Sequence, residues 1–191
     1  MKERIYICID LKSFYASVEC SARGLDPFTA DLVVADPTRG PGALCLAVSP
    51  GLKAKGVKNR CRIFEIPPSL PYMIAPPRMK LYMSVSADIY NTYLHFFDKE
   101  DVYPYSIDEC FVHVTPYLDF YQRDGMGIAS MIMEAVYERT GICATAGVGT
   151  NLFLAKIGMD ILAKHLPEHI AYLDEKLFRE KMWHHRPITD I

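Results

Sequence analysis

The chain has 191 residues, of which 50% are hydrophobic, and its formal net charge is −2. This length suffices for one sizeable core or two small ones. A protein whose whole task is to bind duplex DNA would normally be more basic, so we expect any nucleic-acid contacts to be local. No apolar stretch approaches the roughly 20 residues of a membrane span and no signal peptide is evident, so we expect no membrane association.

The six cysteines are scattered through the sequence and form no C-x-x-C pair. Several lie in apolar, strand-like segments, where cysteine behaves as a small hydrophobic residue. We therefore expect free thiols rather than disulfides, which favours an intracellular, cytoplasmic location.

Apolar periodicity and turn residues predict an alternation of strands and helices. Strands are predicted over residues 5–10, 32–35, 43–48, 102–107, 109–114, 142–149 and 170–173. Helices are predicted over residues 12–22, 80–98, 126–139 and 174–183, with a helical turn at 116–121 and a helix from Thr150 or Asn151 through Lys164. Ser49 is expected to cap a further short helix, with Pro50 at its first position and Gly56 after its end.

Residues 23–79 differ from the rest of the chain in composition, because glycine and proline recur through them. Residues 53–62 are the most basic part of the chain, and such a run is either a solvated face or a surface that meets phosphates. This composition predicts a small inserted domain. Without the insertion, the element order is β-α-α-β-β-α-β-α, which approximates the split βαβ, ferredoxin-like arrangement and gives the fold class α+β.

Two adjacent carboxylates, Asp108 and Glu109, stand in the segment Ser106-Ile107-Asp108-Glu109-Cys110 between two predicted strands. Like charges placed together cost free energy unless a cation shares them, and Mg²⁺ is typically held by one or two carboxylates plus substrate phosphates. Acidic residues also suit solvated hairpin turns. These five residues alone leave two interpretations open, a metal site and a plain turn.

A third acid, Asp10, ends the apolar run that opens the chain. It is either the cap of the following helix or a carboxylate at the C-terminal end of a buried strand, where ligands bind in α/β folds. In a ferredoxin-like sheet the first strand lies next to the hairpin strand. Asp10 and Asp108 would then meet at one end of the sheet, since neighbouring strands are about 4.8 Å apart.

Three carboxylates at one sheet edge can hold two divalent metal ions, which stabilise the attacking and leaving oxygens of an in-line phosphoryl displacement. The chain has no G-x-x-x-x-G-K-[ST] motif, so phosphate charge must be met by other groups. Lys53 and Lys156 are candidates, although most lysines are ordinary surface residues. Phe14 fits the core, whereas Tyr15 fits either the core or the wall of a pocket beside the metals.

Three separated segments together resemble the Y-family DNA polymerases, the translesion enzymes: D-L-K-S-F-Y-A-S-V-E (10–19), S-I-D-E (106–109) and A-G-V-G-T-N-x-x-L-A-K (146–156). The closer likeness is to the UmuC/ImpB/MucB/SamB-type branch, which K-x-x-G-V (53–57) and R-I-F-E-I-P (62–67) also fit. The resemblance runs from residue 5 to the end of the sequence. Three motifs in the right order are far more specific than any one of them.

The resemblance implies a right-hand polymerase with a ferredoxin-like palm over residues 1–22 and 80–170, small fingers over 23–79 and the start of the thumb over 171–191. It implies Asp10, Asp108 and Glu109 as the catalytic ligands of two Mg²⁺ ions, with Mn²⁺ as a possible substitute. The backbone carbonyl of Leu11 would be a further metal ligand.

The resemblance also implies a set of nucleotide-binding residues. Tyr15 matches the steric gate, where an aromatic ring blocks a ribose 2′-hydroxyl, and Phe14 would lie beneath the incoming sugar. Lys53 and Lys156 match the basic positions that contact the triphosphate. Two residues depart from the family pattern: Pro50 stands where many relatives have an aromatic residue, which bears on the contact of Lys53, and Lys12 replaces an acid that is not a required ligand.

The implied function is that of a DNA-directed DNA polymerase for translesion synthesis in DNA repair and SOS-type damage tolerance. Its partners would be primer-template DNA and deoxynucleoside triphosphates, in the cytoplasm at the nucleoid. By the same resemblance, we expect the rest of the thumb and the little finger, which grip duplex DNA, to be absent from the sequence. We therefore expect a fragment of a longer protein that is weakly active alone, with a sliding clamp and accessory proteins bound through the missing part.

Two other functions remain open at this point. Another palm-type nucleotidyl transferase or a nucleotidyl cyclase would share the paired acids, but it would lack the inserted fingers and the Tyr15 gate. A non-catalytic nucleic-acid-binding module would need exposed aromatic residues on strand faces. Such a module would have no use for three acids brought together.

Overall fold

A computed structural model describes residues 4–187 of the chain. The chain divides into two compact units. The first comprises Met1–Leu11, Asp88–Arg139 and Cys143–Ile191, and the second comprises Lys12–Ala87 and Thr140–Ile142. This division differs from the palm and fingers boundaries drawn from the sequence. The first residues of the predicted palm (1–3) and the last of the predicted thumb (188–191) lie outside the described residues.

Strands and helices alternate along the described chain. The strands are β1 (Tyr6–Leu11), β2 (Leu32–Val34), β3 (Ala47–Val48), β4 (Met73–Ala75), β5 (Val102–Pro104), β6 (Glu109–His113), β7 (Ala144–Gly149) and β8 (Ile170–Leu173). The α-helices are α1 (Phe14–Ser21), α2 (Pro50–Ala54), α3 (Met79–Leu94), α4 (Leu118–Tyr121), α5 (Gly125–Thr140), α6 (Leu152–Ile157) and α7 (Glu175–Lys181).

The first unit is built on a five-stranded sheet in the order β5-β6-β1-β7-β8. The central strand β1 pairs antiparallel with both β6 and β7. The predicted placement of the first strand next to the hairpin strand is therefore confirmed. Strand β8 adds to the outer side of β7 in parallel, so the sheet continues past residue 170, where the predicted thumb begins.

The core of the first unit explains why β1 reads as an unbroken apolar run. Ile7, Cys8 and Ile9 are completely buried, as expected for a central strand that is covered on both faces. Helix α5 contributes Ile128, Ile132 and Val136, all of them also fully buried. Their spacing places them on one face of the helix, which confirms the predicted amphipathic helix over 126–139.

The second unit contains a three-stranded sheet in the order β3-β2-β4. Strand β2 pairs antiparallel with β3 and parallel with β4. Ser49 caps α2 as predicted, because its hydroxyl accepts a hydrogen bond from the Leu52 amide at 3.3 Å and donates one to the Ala30 carbonyl at 2.6 Å. Val33, Val48 and Leu52 form part of the core of this unit.

Several predicted elements were too long. Helix α1 begins at Phe14 rather than residue 12, because Ser13 has a left-handed backbone with φ of 49°. The strand predicted over 43–48 reduces to β3, since Leu44 pairs instead with Arg62 in an isolated bridge. Helix α3 ends at Leu94 rather than 98, where amides bond to carbonyls three residues back, as from His95 to Thr92.

Two features were not predicted. Strand β4 lies in the proline-rich end of the predicted insertion, where the sequence analysis predicted no strand. The helix predicted to run through Lys164 is not continuous: α6 is followed by a π-helical turn over Gly158–Leu162 and a 3-10 turn over Ala163–His165. π-Helical turns often occur at functional sites.

In the part of the chain that the structure describes, none of the six cysteines forms a disulfide; five are buried and Cys143 is partly exposed. Within residues 4–187, no helix combines the length and the apolar character needed to cross a membrane.

Candidate active site

The sheet brings Asp10 and Glu109 face to face. Asp10 lies near the end of β1 and its Cα partner in the β1–β6 ladder is Glu109, the first residue of β6. The Leu11 amide donates a hydrogen bond of 3.0 Å to the Asp108 carbonyl, which fixes the backbone of the acidic pair beside the end of β1. Asp10 lies before Ser13, the residue at the N-cap position of α1, so it is a strand residue and does not cap that helix.

Ser106 organises the turn that presents the acidic pair. Its hydroxyl donates to Asp108 Oδ1 at 2.8 Å and accepts from the Glu109 amide at 3.0 Å. The turn interpretation is thus correct for the backbone of Asp108, which lies between β5 and β6. It does not exclude a metal site, since the same turn sets Glu109 opposite Asp10.

Helix α6 lies unusually close to β7. A Cβ atom on Gly147 would stand 2.0 Å from the Ala155 carbonyl oxygen and 2.3 Å from the Met159 amide nitrogen. Real side chains never tolerate such distances, so only glycine permits this approach. The consequence is that Lys156 and the π-helical turn reach the end of β1 and β6, where the acids stand.

Two lysines and a further carboxylate complete the cluster. Lys156 Nζ donates to Glu109 Oε1 and lies 2.9 Å from Asp160 Oδ2. Lys164 Nζ lies 3.0 Å from Asp160 Oδ1 and 3.9 Å from Asp10 Oδ2. Asp160 therefore shares one lysine with Glu109 and the other with Asp10.

One oxygen from each of Asp10, Glu109 and Asp160 lies within 4.8 Å of the others, a spacing that suits a cation. The three side chains are 18% to 30% exposed, so they are half-buried rather than solvated. Carboxylate oxygens are the ligands that Mg²⁺, Ca²⁺ and Mn²⁺ prefer. Asp108 is not a member of this tight group, and its side chain bonds to Ser106 instead.

Burial and neighbouring charges alter the pKa values of Asp10 and Lys156. Burial raises the pKa of Asp10, and Asp108 and Glu109 raise it further against the opposing effect of the two lysines, so that it reaches about 7. Burial alone would lower the pKa of Lys156, but its hydrogen bonds to Glu109 and Asp160 outweigh that effect and hold the pKa above its ordinary value. Lys156 is therefore a firmly charged ammonium group, whereas the position of Asp10 disfavours its charged form.

The other predicted site residues belong to the second unit. Phe14 is 3% exposed, as expected of a core residue. Tyr15 is half-buried and its ring stacks on Tyr82, with centroids 4.6 Å apart and planes at 18°. Lys53 Nζ donates to the Ser13 hydroxyl at 2.9 Å. These three predicted residues and the carboxylate cluster lie in different units.

A buried ion network supports the ring beneath Tyr15. The side chain of Glu19 is completely buried and accepts from the Tyr82 hydroxyl at 2.7 Å. Arg78 donates to both of its oxygens, at 2.9 and 2.7 Å, and Arg23 donates as well. Burial alone would raise the pKa of Glu19, but these hydrogen bonds prevail and lower it to about 2.

The sequence reasoning missed Asp160 and Lys164. The signal was present in the spacing of Lys156, Asp160 and Lys164, since opposite charges four residues apart pair on a helix. Such pairs are usually solvated surface pairs, so the pattern did not point to the acids on the sheet. The π-helical turn that carries Asp160 leaves no mark in hydrophobic periodicity.

Comparison with known proteins accords with this geometry. Residues 9–160 match the sequence profile of the impB/mucB/samB family. The chain belongs to this family. The matched range contains every acid of the cluster, together with Tyr15 and both predicted triphosphate-binding lysines. The resemblance stated from the motifs alone is thereby confirmed.

Two relatives from Bacillus subtilis (strain 168) show how members of the family are related to this chain. The chain is 36% identical over 184 residues to a putative UV-damage repair protein, UvrX, covering 96% of this chain and 43% of that protein. It is 34% identical over 184 residues to DNA polymerase IV 2, covering 96% of this chain and 44% of the relative. The chain thus spans less than half the length of these relatives.

Solved structures agree on the fold. The crystal structure of DinB from Sulfolobus solfataricus superposes with a TM-score of 0.74 at 27% identity, covering 92% of this chain and 50% of that one. A Y-family DNA polymerase chimera, Dbh-Dpo4(243-245)-Dbh, gives a TM-score of 0.76 at 26% identity with the same coverage. The predicted α+β architecture of palm and fingers is confirmed. This chain corresponds to about half the length of each of the two solved chains.

Proposed function

We propose that this chain forms the catalytic part of a DNA-directed DNA polymerase that carries out translesion synthesis. The observation that carries the proposal is the pairing of Asp10 with Glu109 at the ends of two adjacent strands, in a family that includes DNA polymerase IV 2. The reaction is the transfer of a nucleotidyl group from a deoxynucleoside triphosphate to a primer 3′-hydroxyl. The name of the relative UvrX supports a place in the repair of UV damage.

Asp10, Asp108 and Glu109, with the carbonyl of Leu11, are proposed to hold two Mg²⁺ ions, which Mn²⁺ can replace. The donor set fits such ions, because it offers only oxygen ligands and because an oxygen of Asp10 and one of Glu109 lie within 4.8 Å of each other. When bound, two divalent ions supply charge stabilisation for the attacking and leaving oxygens of the displacement.

The chain's own cations and rings supply substrate binding. Lys156, a charged ammonium group beside Glu109, is proposed to contact the triphosphate, as is Lys53 beside Ser13. Tyr15 is proposed as the steric gate that excludes a ribose 2′-hydroxyl, and Phe14 to lie beneath the sugar. Positioning and neutralisation of phosphate charge account for most of the catalysis of phosphoryl transfer.

The domain roles are proposals as well. Residues 1–22 and 80–170 form the palm, residues 23–79 the fingers and residues 171–191 the start of the thumb. The partners are primer-template DNA and deoxynucleoside triphosphates, with a sliding clamp and accessory proteins bound through parts of the protein outside this chain. The setting is DNA-damage tolerance of the SOS type, in the cytoplasm at the nucleoid.

The test is single-nucleotide insertion into a primer-template, at low salt and with the protein in excess over DNA. We expect slow insertion of the nucleotide that complements the template base, with Mg²⁺ present, and no insertion by the Asp10→Asn variant. A matched control is Asp124→Asn, at the start of α5. Insertion that ignores the template base, or that is the same in Asp10→Asn, would contradict the proposal, and formation of a cyclic nucleotide would favour a cyclase.

A further inference from the structure

Asp160 is the one carboxylate of the cluster that contacts both lysines. Its Oδ2 lies 2.9 Å from Lys156 Nζ and its Oδ1 lies 3.0 Å from Lys164 Nζ. Each lysine is four residues from Asp160, one on either side, and each also contacts a strand acid. Lys156 donates to Glu109, and Lys164 lies 3.9 Å from Asp10 Oδ2.

The two ammonium groups occupy space that a divalent cation needs. An oxygen of Glu109 that accepts a hydrogen bond from Lys156 has less electron density to offer a metal ion, and two cations a few ångströms apart repel each other. A metal ion that binds to Asp10 and Glu109 therefore competes with the lysines. The lysines are 27% and 44% exposed, so their tips have room to move.

Asp160 offers the lysines another partner. It lies on the π-helical turn rather than on the sheet, so its carboxylate can keep both ammonium groups while the strand acids exchange theirs for a metal. Separating a half-buried lysine from every carboxylate would be unfavourable, because no partner would then offset the loss of hydration of its charge. A third carboxylate between the lysines removes most of that cost.

We propose that Asp160 is a positioning residue that retains the ammonium groups of Lys156 and Lys164 when a divalent cation takes Asp10 and Glu109. The inference rests on the proposed function in one respect, namely that Asp10 and Glu109 are metal ligands. It assigns to Asp160 a role in metal loading, because Asp160 holds both ammonium groups while the strand acids take the ion. Asp160 acts through the lysines and does not itself bind the ion.

The competing role for Asp160 is that of a direct metal ligand, which the 4.8 Å spacing of the three carboxylates also permits. The two roles differ in what happens once the lysines are gone. A retaining carboxylate loses its task when there is no ammonium group to hold. A ligand remains a ligand whether or not the lysines are present.

A double-mutant cycle on metal affinity separates these roles. Mn²⁺ binding to the purified chain is followed by the electron paramagnetic resonance signal of the free ion, which needs neither DNA nor activity. Asp160→Asn is expected to weaken Mn²⁺ binding at least about tenfold in the chain with both lysines, which is about 1.4 kcal/mol. In the Lys156→Met/Lys164→Met background, the same substitution is expected to change affinity less than about threefold, the remainder being the loss of one nearby charge.

Two further variants anchor the cycle. Lys164→Met alone is expected to strengthen Mn²⁺ binding several-fold, because it removes a competing cation from Asp10. Lys99→Met is the control and is expected to leave Mn²⁺ binding unchanged, because Lys99 lies before β5, at the opposite end of that strand from the acids. Circular dichroism checks the folding of each variant. If the double lysine variant does not fold, the more exposed Lys164→Met serves as the background, with a correspondingly smaller dependence on Asp160.

The outcomes are distinguishable. If Asp160→Asn weakens Mn²⁺ binding tenfold or more in both backgrounds, Asp160 is a direct ligand and the proposal is wrong. The proposal is also wrong if Asp160→Asn changes Mn²⁺ affinity less than threefold in the chain with both lysines. The variants Asp10→Asn and Glu109→Gln test the proposed function itself. If both variants leave Mn²⁺ binding unchanged, the assignment of the metal site is wrong. If both variants abolish Mn²⁺ binding but the effect of Asp160→Asn is the same with and without the lysines, only the retaining role of Asp160 is wrong.

Discussion

Asp10 and Glu109 are Cα partners across the β1–β6 pair, two like charges directly opposite each other in an antiparallel ladder. Such pairs destabilise a sheet unless positive charge is supplied. Lys156 and Lys164 supply positive charge beside these acids, but burial, with Asp108 and Glu109, still raises the pKa of Asp10 to about 7. The site is thus arranged for cation binding at some cost in stability, as is common for functional sites.

This cost leads to a prediction about Asp10→Asn. At pH 8 with a chelator present, the substitution removes a half-buried negative charge without changing the side-chain shape. The free energy of unfolding is expected to rise by about 1–3 kcal/mol. Urea denaturation measures this change, with Glu138→Gln on the exposed side of α5 as control. A destabilised Asp10→Asn variant would mean that the pairing with Lys164 outweighs burial and repulsion.

Glu19 is expected to stabilise the fold in its charged form, in contrast to Asp10. Its pKa is lowered to about 2 in the folded chain, against an ordinary value near 4.5, so its contribution is present above about pH 4.5 and is lost as pH falls toward 2. Glu19→Gln is expected to reduce the free energy of unfolding by about 2–3 kcal/mol at pH 7. The difference from wild type should shrink between pH 4.5 and 3 in urea denaturation. A difference that stays constant over this range would exclude an ionised Glu19 as its source.

Gly147 tests the close approach of α6 to β7. An added Cβ would overlap the backbone of Ala155 and Met159, so Gly147→Ala must push the helix away from the strand. We expect a loss of about 3 kcal/mol or more in the free energy of unfolding, because the helix must move away from the strand. Gly42→Ala is the control, because no atom lies within 4 Å of its added Cβ. Equal stability of the two variants would refute the packing argument.

Tyr15 is the residue on which sugar selection is proposed to depend. In single-nucleotide insertion, Tyr15→Ala is expected to lower the preference for deoxyribonucleotides over ribonucleotides by about tenfold to a hundredfold, since a missing steric block removes discrimination against the 2′-hydroxyl. Tyr137→Ala, an exposed tyrosine of α5, serves as control. If the preference is unchanged in Tyr15→Ala, the ring that stacks on Tyr82 is core packing and no gate.

Much of the fold was predictable, because its signals are local. The apolar run of β1, the amphipathic face of α5 and the cap at Ser49 each follow from a few consecutive residues. Strand order then placed Asp10 beside the hairpin, and three motifs identified the family. The prediction brought Asp10 and Asp108 to one end of the sheet but did not give the register, in which the Cα partner of Asp10 is Glu109. The register depends on the turn at Ser106, which periodicity does not resolve.

The rest depends on contacts between residues far apart in sequence. The stack of Tyr15 on Tyr82 joins two separate helices, and Arg78 reaches Glu19 from 59 residues away. No local pattern links these residues. Asp160 reaches the cluster only because Gly147 admits α6 so closely and because a π-helical turn follows that helix. Both features depend on backbone packing. Their only signs in the sequence are a glycine in a strand and charged residues spaced four apart on a helix.

The most direct test of the central claim is calorimetric binding of a deoxynucleoside triphosphate to this chain, with and without Mg²⁺, for wild type, Asp108→Asn and Glu109→Gln. The account predicts binding that requires Mg²⁺ and is lost in both variants, because the acids hold the ions that meet the triphosphate. Binding that is independent of Mg²⁺, or that is unchanged in both variants, would contradict the assignment and leave the acidic pair as a solvated turn.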